Sequence, residues 1–147
     1  MTQQETDKRF MEEALKEARQ AFEDDEVPVG AVVECRGRVI ARGRNMTESL
    51  HDPTAHAEMI ALTAATEYLG GKYLKDCTLY VTMEPCPMCA AALAWAQVDA
   101  IVFGASDPKR GYRLFSPSLL HPKTQVRKGV MEQECSEIVV NYFKTKR

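Results

Sequence analysis

The segment His56-Ala57-Glu58, followed much later by Cys86 and Cys89, is the feature that most constrains how this chain can fold. One imidazole and two thiols are side chains that bind zinc, which takes four ligands in a tetrahedral arrangement. Because the two segments are distant in sequence, the fold must bring them together to build a metal site. Three protein ligands leave the fourth position to water, as in catalytic zinc sites.

Glu58 adds a carboxylate that the metal does not need. Residues two apart on a helix differ by about 200° around its axis, so Glu58 cannot lie alongside His56. It can instead point across the helix end to the open position and transfer the protons of water. Two alternatives stay open: a closed structural site with Cys35, Cys77 or His51 as fourth ligand, and a redox Cys-x-x-Cys pair.

The overall composition describes an ordinary globular protein. The chain has 147 residues, of which 45% are hydrophobic and 27% charged, which predicts a single domain over residues 1–147. Its apolar runs are too short to cross a membrane, and residues 1–9 are too polar for a secretory signal. Five cysteines, two of them beside a His-x-Glu segment, favour metal binding in a reducing compartment. We therefore expect a cytoplasmic protein.

Hydrophobic periodicity predicts alternating helices and strands. Helices are expected at residues 7–23, 55–69, 87–96 and 132–146, and strands at 29–33, 38–41, 78–82, 100–104 and 125–130. The order α-β-β-α-β-α-β-β-α predicts a three-layer α/β/α sandwich with a mixed central sheet of about five strands. Pro87 suits the first position of its helix, which would place Cys86 and Cys89 at a helix N-terminus, where thiolates are favoured.

Charge is distributed unevenly along the chain. The net charge is only −2, but residues 109–147 hold nine Lys or Arg against three Glu. A basic segment of this kind can face the phosphates of a nucleic acid. It can equally be a solvated surface that ends in a basic helix terminus.

With these residues in place, the chain resembles the cytidine/deoxycytidylate deaminase superfamily, and within it the bacterial tRNA-specific adenosine deaminases. The resemblance spans residues 8–147 and rests on several segments: Glu26-Val27-Pro28-Val29-Gly30-Ala31-Val32, Asn45, His51 to Glu58, Leu79-Tyr80-Val81-Thr82, Glu84-Pro85-Cys86, Val102-Phe103-Gly104-Ala105, Gly129-Val130 and Glu134-Cys135. It implies a cytidine deaminase-like fold, one Zn²⁺ per subunit held by His56, Cys86 and Cys89, and a homodimer. It also implies hydrolytic deamination of adenosine to inosine at the first anticodon position of tRNA.

The same resemblance assigns residues to the substrate. Asn45 would hydrogen-bond the flipped-out base, Pro28 and Val29 would line its pocket, and the backbone near Ala57 and Glu84 would contact the base and the leaving amine. Asn45 is also suited to a turn after Gly43-Arg44.

Residues that would contact the anticodon stem-loop combine positive charge with an aromatic ring, which is what single-stranded RNA recognition needs. They are Lys109, Arg110, Phe143, Lys144 and Arg147. Phe143 by itself fits equally well in the core of an ordinary terminal helix.

Two features depart from this pattern. After Asp107-Pro108-Lys109 the family continues with small residues, whereas this chain has Arg110-Gly111-Tyr112-Arg113-Leu114-Phe115, and His121-Pro122 replaces the family's Asn-His pair. In addition, the segments 69–74 and 86–96 resemble small guanine deaminases. A deaminase of a free nucleobase or nucleoside is therefore the second hypothesis, and a non-catalytic, zinc-stabilised RNA-binding module is the third.

Overall fold

The computed structural model describes residues 1–146. Its four α-helices are α1 (Gln3–Glu23), α2 (Ala57–Leu69), α3 (Pro87–Ala96) and α4 (Glu132–Lys144). Its five strands are β1 (Gly30–Cys35), β2 (Arg38–Arg44), β3 (Cys77–Met83), β4 (Ala100–Ala105) and β5 (Gln125–Lys128). Two short 3₁₀ turns, Tyr112–Leu114 and Pro117–Leu119, lie between β4 and β5. Within this described part, no helix is both long and apolar enough to span a membrane.

The strands form one mixed sheet in the order β2-β1-β3-β4-β5. Strand β1 is antiparallel to both β2 and β3, whereas β3, β4 and β5 run parallel to one another. This arrangement places the start of β1 and the ends of β2, β3 and β4 at the same edge of the sheet. The residues that follow these strand ends are therefore brought close together.

The sheet is covered by helices on both faces. Apolar side chains of α2 and α3 pack on one face, where Ala61, Leu93 and Phe103 are buried. Helix α1 supplies Phe10, Met11 and Leu15 to the other face, where Cys135 of α4 joins them. The predicted three-layer α/β/α sandwich with a five-stranded mixed sheet is confirmed.

All nine predicted helices and strands are confirmed, and several of their boundaries differ by two to four residues; three of these differences follow from local contacts. Helix α2 begins at Ala57 rather than residue 55, because the Asp52 carboxylate accepts hydrogen bonds from both the N–H and the hydroxyl of Thr54 and holds a turn there. Strand β5 ends at Lys128, since Gly129 and Met131 both adopt positive φ and turn the chain. Helix α1 begins earlier than expected, at Gln3, where Thr2 and Glu5 form a capping box.

Candidate metal centre

Two helix N-termini converge at this edge of the sheet. His56 is the N-cap residue of α2 and Cys86 is the N-cap residue of α3, and both have extended backbones, with φ of −78° and −73°. Within residues 1–146, neither side chain forms a cap hydrogen bond with a backbone N–H of its own helix, although an N-cap side chain commonly does. Both are therefore available to bind a ligand, and the exposed N–H groups of the two first turns favour thiolate and other anions there.

The three predicted ligand atoms are spaced as a zinc ion requires. Nδ1 of His56 lies 3.6 Å from Sγ of Cys86 and 3.5 Å from Sγ of Cys89. A tetrahedral zinc at its usual distances from sulfur and nitrogen would separate those atoms by about 3.5 Å. The three side chains therefore fit a zinc ion without rearrangement. Within the described part of the chain, the group of possible metal ligands at this place consists of His56, Cys86 and Cys89.

The thiols of Cys86 and Cys89 are in hydrogen-bond contact with each other. A hydrogen bond from the Cys89 thiol lowers the pKa of Cys86 to about 4, and the same contact raises the pKa of Cys89. Cys86 is thus the thiolate of the pair, and the thiolate is the form that binds a metal.

Glu58 lies in the first turn of α2 and is 4% exposed. Burial raises the pKa of this carboxyl to about 7, while its own backbone N–H, His56 and the Cys89 thiol oppose the rise. A carboxyl group whose pKa lies near neutrality can both accept and release a proton. The structure therefore places a buried carboxyl group beside the three candidate ligands, and its role in proton transfer stays a prediction.

The hypothesis of a closed site with Cys35 or Cys77 as fourth ligand is wrong. These two residues are paired across β1 and β3 at the far end of the sheet. Cys77 is the first residue of β3, and the metal ligands lie near the other end of that strand, about 20 Å away at about 3.3 Å per residue. His51 is exposed in the loop before α2.

The residues predicted to hold the base lie at the same edge of the sheet. Asn45 follows β2 and is 8% exposed; its backbone N–H donates to Val29 O at 3.1 Å and its Nδ2 donates to Val27 O at 3.3 Å. Its side chain therefore binds the segment that leads into β1. Asn45 also lies beside the segment that leads to His56, since the backbone N–H of the next residue, Met46, donates to Ala55 O.

The other residues predicted to contact the base are largely buried. Pro28 is buried, Val29 is half-buried, and Ala57 is buried in the first turn of α2.

The side chain of Glu84 has contacts that the sequence did not predict, whereas the contact of its backbone with the base stays a prediction. Its side chain is buried and accepts hydrogen bonds from the backbone N–H groups of Asp107 and Arg113 and from the Arg113 guanidinium. Burial acts to raise the pKa of Glu84, but these donated hydrogen bonds outweigh it and lower the pKa below the usual value. Arg113 and Asp107 were missed as supporting residues because contacts about 25 residues apart leave no periodic signal in the sequence. The one available signal was the unusual composition of the loop that follows Lys109.

The residues predicted to contact RNA lie in two places. Lys109 and Arg110 are exposed in the loop after β4. Phe143 is 45% exposed and Lys144 is exposed at the end of α4, whereas Arg147 lies outside the described residues. The end of α4 is fixed to the segment that follows α1, because Tyr142 donates a hydrogen bond to the carbonyl oxygen of Asp25.

Comparison with known proteins gives a consistent assignment. The family model for the cytidine and deoxycytidylate deaminase zinc-binding region matches residues 4–105. A tRNA-specific adenosine deaminase from Agrobacterium fabrum is 48% identical over 143 residues, which are 94% of this chain and 94% of that protein.

Two solved structures are also similar. One, from work on A-to-I editing by tRNA:A34 deaminases at the wobble position of transfer RNA, is 49% identical with a TM-score of 0.82, covering 88% of this chain and 98% of that one. A guanine deaminase from Nitrosomonas europaea is 25% identical with a TM-score of 0.79, covering 92% of this chain and 83% of that one. With the ligand geometry and these similarities together, the chain belongs to the cytidine and deoxycytidylate deaminase family of zinc proteins, in its tRNA-specific adenosine deaminase branch.

Proposed function

We propose that this protein is a zinc-dependent hydrolase that converts adenosine to inosine at the wobble position of tRNA. One observation carries the chemistry: a buried Glu58 lies beside three side chains whose ligand atoms are spaced for zinc and leave one position open. The tRNA substrate rests on the relatives, which are named for that activity at up to 48% identity over nearly the whole chain.

The metal would be held by His56, Cys86 and Cys89, and when bound it supplies a Lewis acid that makes water a nucleophile near neutral pH. Glu58 is the residue we assign to proton transfer. Its carboxylate takes a proton from the water whose oxygen adds to C6 of adenine and delivers it to a ring nitrogen. It then takes the proton of the added hydroxyl and gives it to the amino group, which leaves C6 as ammonia. The balance is adenosine plus water giving inosine plus ammonia.

The base enters beside Asn45. Its amide can hydrogen-bond a flipped-out base, with Pro28 and Val29 forming the pocket wall and the backbone near Ala57 and Glu84 facing the base and the leaving amine. The side chain of Asn45 also donates a hydrogen bond to the carbonyl oxygen of Val27 and accepts one from the backbone N–H of Thr47, and these two contacts fix its orientation before substrate arrives.

RNA contacts are assigned to two exposed groups of residues, one in the loop after β4 and one at the end of α4. Lys109 and Arg110 would neutralise phosphates, and Phe143 with Lys144 would stack on a base and bind the backbone of the anticodon loop. We also assign this function to the cytoplasm, where tRNA is modified.

A homodimer is part of the proposal. The outward face of α3 carries no charged residue and presents Met88, Ala91, Ala92 and Trp95 at helical spacing. Trp95 is 84% exposed. An apolar helix face of this kind marks an interface between protein chains, and a second copy is the occupant that we expect. Light scattering should give a dimer for the wild type and a monomer for Trp95→Glu.

Guanine deamination is the second candidate. The structural similarity to the Nitrosomonas europaea guanine deaminase supports it, as does the resemblance of the segments 69–74 and 86–96 to small guanine deaminases. Guanine deamination, however, assigns no role to the basic residues of the loop after β4.

The experiment compares substrates directly. Zinc-loaded protein is incubated with anticodon stem-loops that carry adenosine at the first anticodon position, with the same stem-loops carrying guanosine there, and with free guanine, cytosine, adenosine and cytidine. Inosine and ammonia from the adenosine stem-loop, with none from the guanosine stem-loop, are expected. Turnover of free guanine without turnover of the stem-loop would transfer the assignment to the second candidate. Zinc-loaded protein that binds RNA but releases no ammonia would instead identify a binding module.

A further inference from the structure

The loop after β4 is fastened to the metal-binding edge through one buried carboxylate. Glu84 is 5% exposed and accepts a forked pair of hydrogen bonds from Arg113, Nε to Oε2 at 3.1 Å and Nη2 to Oε1 at 3.2 Å. The backbone N–H groups of Asp107 and Arg113 donate to the same two oxygens at 3.1 and 3.2 Å. A forked arginine–carboxylate contact fixes orientation as well as charge.

This fastening extends to the basic residues of the loop. The carboxylate of Asp107 accepts hydrogen bonds from the backbone N–H groups of Lys109 and Arg110, both at 3.0 Å. Arg113 holds Glu84, Glu84 holds the backbone of Asp107, and Asp107 shapes the turn from which Lys109 and Arg110 project. The positions of Lys109 and Arg110 therefore depend on the Arg113 side chain, which acts on them through Glu84 and Asp107.

The loop is also packed closely against the residues before the metal ligand. The backbone N–H of Tyr112 donates to Pro85 O at 2.9 Å, one residue before Cys86. A Cβ at Gly111 would lie 2.4 Å from Cδ of Glu84, so the loop backbone rests on the carboxylate itself. The Arg113 guanidinium stacks 5.1 Å from the centre of the buried Phe103 ring, which restricts it further.

From these contacts we propose that Arg113 is a positioning residue for substrate binding: through Glu84 it fixes residues 107–113 beside Cys86 and holds Lys109 and Arg110 where the RNA is bound. This inference rests on the proposed function, because it assumes that the loop faces the substrate. Arg113 itself touches neither the metal ligands nor Glu58. Kinetics can distinguish this positioning role from a purely structural one. Loss of folded protein lowers the maximal rate, whereas a misplaced loop weakens substrate binding and raises KM.

The variants are Arg113→Ala and Arg113→Lys, with Arg36→Ala as the matched control. Arg36 is an exposed arginine at the β1–β2 turn, at the opposite end of the sheet from the metal ligands, and forms a solvent-exposed ion pair with Asp76. Lysine at position 113 keeps the charge but loses the fork. Each protein is assayed for kcat and KM on the adenosine stem-loop, for bound zinc, and for hydrogen–deuterium exchange of the peptide that spans residues 106–115.

Arg113→Ala should raise KM by about tenfold with kcat within about twofold of wild type, since misplaced binding groups cost affinity more than chemistry. The zinc content of Arg113→Ala should be unchanged, and its 106–115 peptide should exchange faster than in wild type. The KM and exchange rate of Arg113→Lys should lie between those of wild type and Arg113→Ala. Arg36→Ala should match wild type in every measurement. An unchanged KM and unchanged exchange in Arg113→Ala would overturn the inference while leaving the proposed function intact. If the wild type does not act on the stem-loop, the proposed function fails, and the exchange measurement still decides whether Arg113 fixes the loop. If Arg113→Ala does not fold, the same readouts on Arg113→Lys decide the question.

Discussion

Nδ1 of His56 lies 3.5 Å from Sγ of Cys89, although the two residues are 33 positions apart in the chain. His56 is the N-cap residue of α2 and Cys89 lies in the first turn of α3, and these two helices lie on the same face of the sheet. The site is therefore held together by packing of two helices on one sheet face, and metal binding should in turn stabilise that packing.

Removal of zinc should lower stability as well as activity. A ligand that binds only the folded state at about a thousand times its Kd adds about 4 kcal/mol to the free energy of unfolding. Chelation, or the substitution Cys86→Ser, should therefore lower the thermal midpoint and abolish ammonia release. The matched control is Cys35→Ser, which changes a free thiol at the far end of the sheet. Equal midpoints and equal zinc content for Cys86→Ser and wild type would contradict the assigned ligand set.

Glu58→Gln should separate metal binding from catalysis. The amide keeps the size of the side chain but cannot take the proton from water, so the rate should fall by about 10² to 10⁴. Zinc content should be unchanged, since Glu58 is not among the three ligands. Glu67→Gln makes the same change on an exposed position of α2 and should leave the rate unaltered. Full activity of Glu58→Gln would remove the proposed mechanism.

Local signals in the sequence predicted most of this arrangement. Pro87 at the first position of α3 fixed both the start of that helix and the placement of Cys86 and Cys89. The start of α2 was less accurate, because Pro53 and Thr54 are equally suited to a helix start and to the turn that Asp52 stabilises. The forked contact between Glu84 and Arg113 could not be predicted, since it joins two loops 29 residues apart and depends on the register of β3 with β4.

Acid should weaken the loop before α2 through Glu26. This carboxylate is 1% exposed and accepts hydrogen bonds from the backbone N–H groups of Glu48 and Ser49 at 3.0 and 2.7 Å. Burial acts to raise the pKa of Glu26, but the hydrogen bonds from Ser49 and Glu48 outweigh it, so the pKa lies below the ordinary 4.5. Its stabilising contribution is therefore complete above that ordinary value and is lost as the pH falls through the lowered one.

Glu26→Gln should accordingly cost about 1–3 kcal/mol of unfolding free energy near neutral pH, and the difference from wild type should shrink as the pH falls below the ordinary carboxyl pKa and through the lowered pKa of Glu26. Urea unfolding at a series of pH values measures this directly. Glu12→Gln, an exposed position on α1, is the control. A difference that stays constant with pH would show that the Glu26 charge is not the stabilising element.

Gly43 of β2 sets the position of the first turn of α2. A Cβ at this glycine would lie 2.3 Å from the carbonyl oxygen of Ala57 and 2.7 Å from the backbone nitrogen of Ala61. Both contacts are with helix backbone, so Gly43→Ala must push α2 away from the sheet and carry His56 and Glu58 with it. We expect a loss of about 1–3 kcal/mol in unfolding free energy, because overpacking a close contact strains its surroundings.

The same substitution should also weaken zinc binding, which a colorimetric chelator competition can measure. Gly71→Ala is the matched control, because a Cβ there meets nothing within 4 Å. If α2 is positioned by this strand, zinc affinity falls in Gly43→Ala and stays at the wild-type value in Gly71→Ala. Equal zinc affinity in the two variants would mean that the ligands, rather than the contact with β2, determine where the first turn of α2 lies.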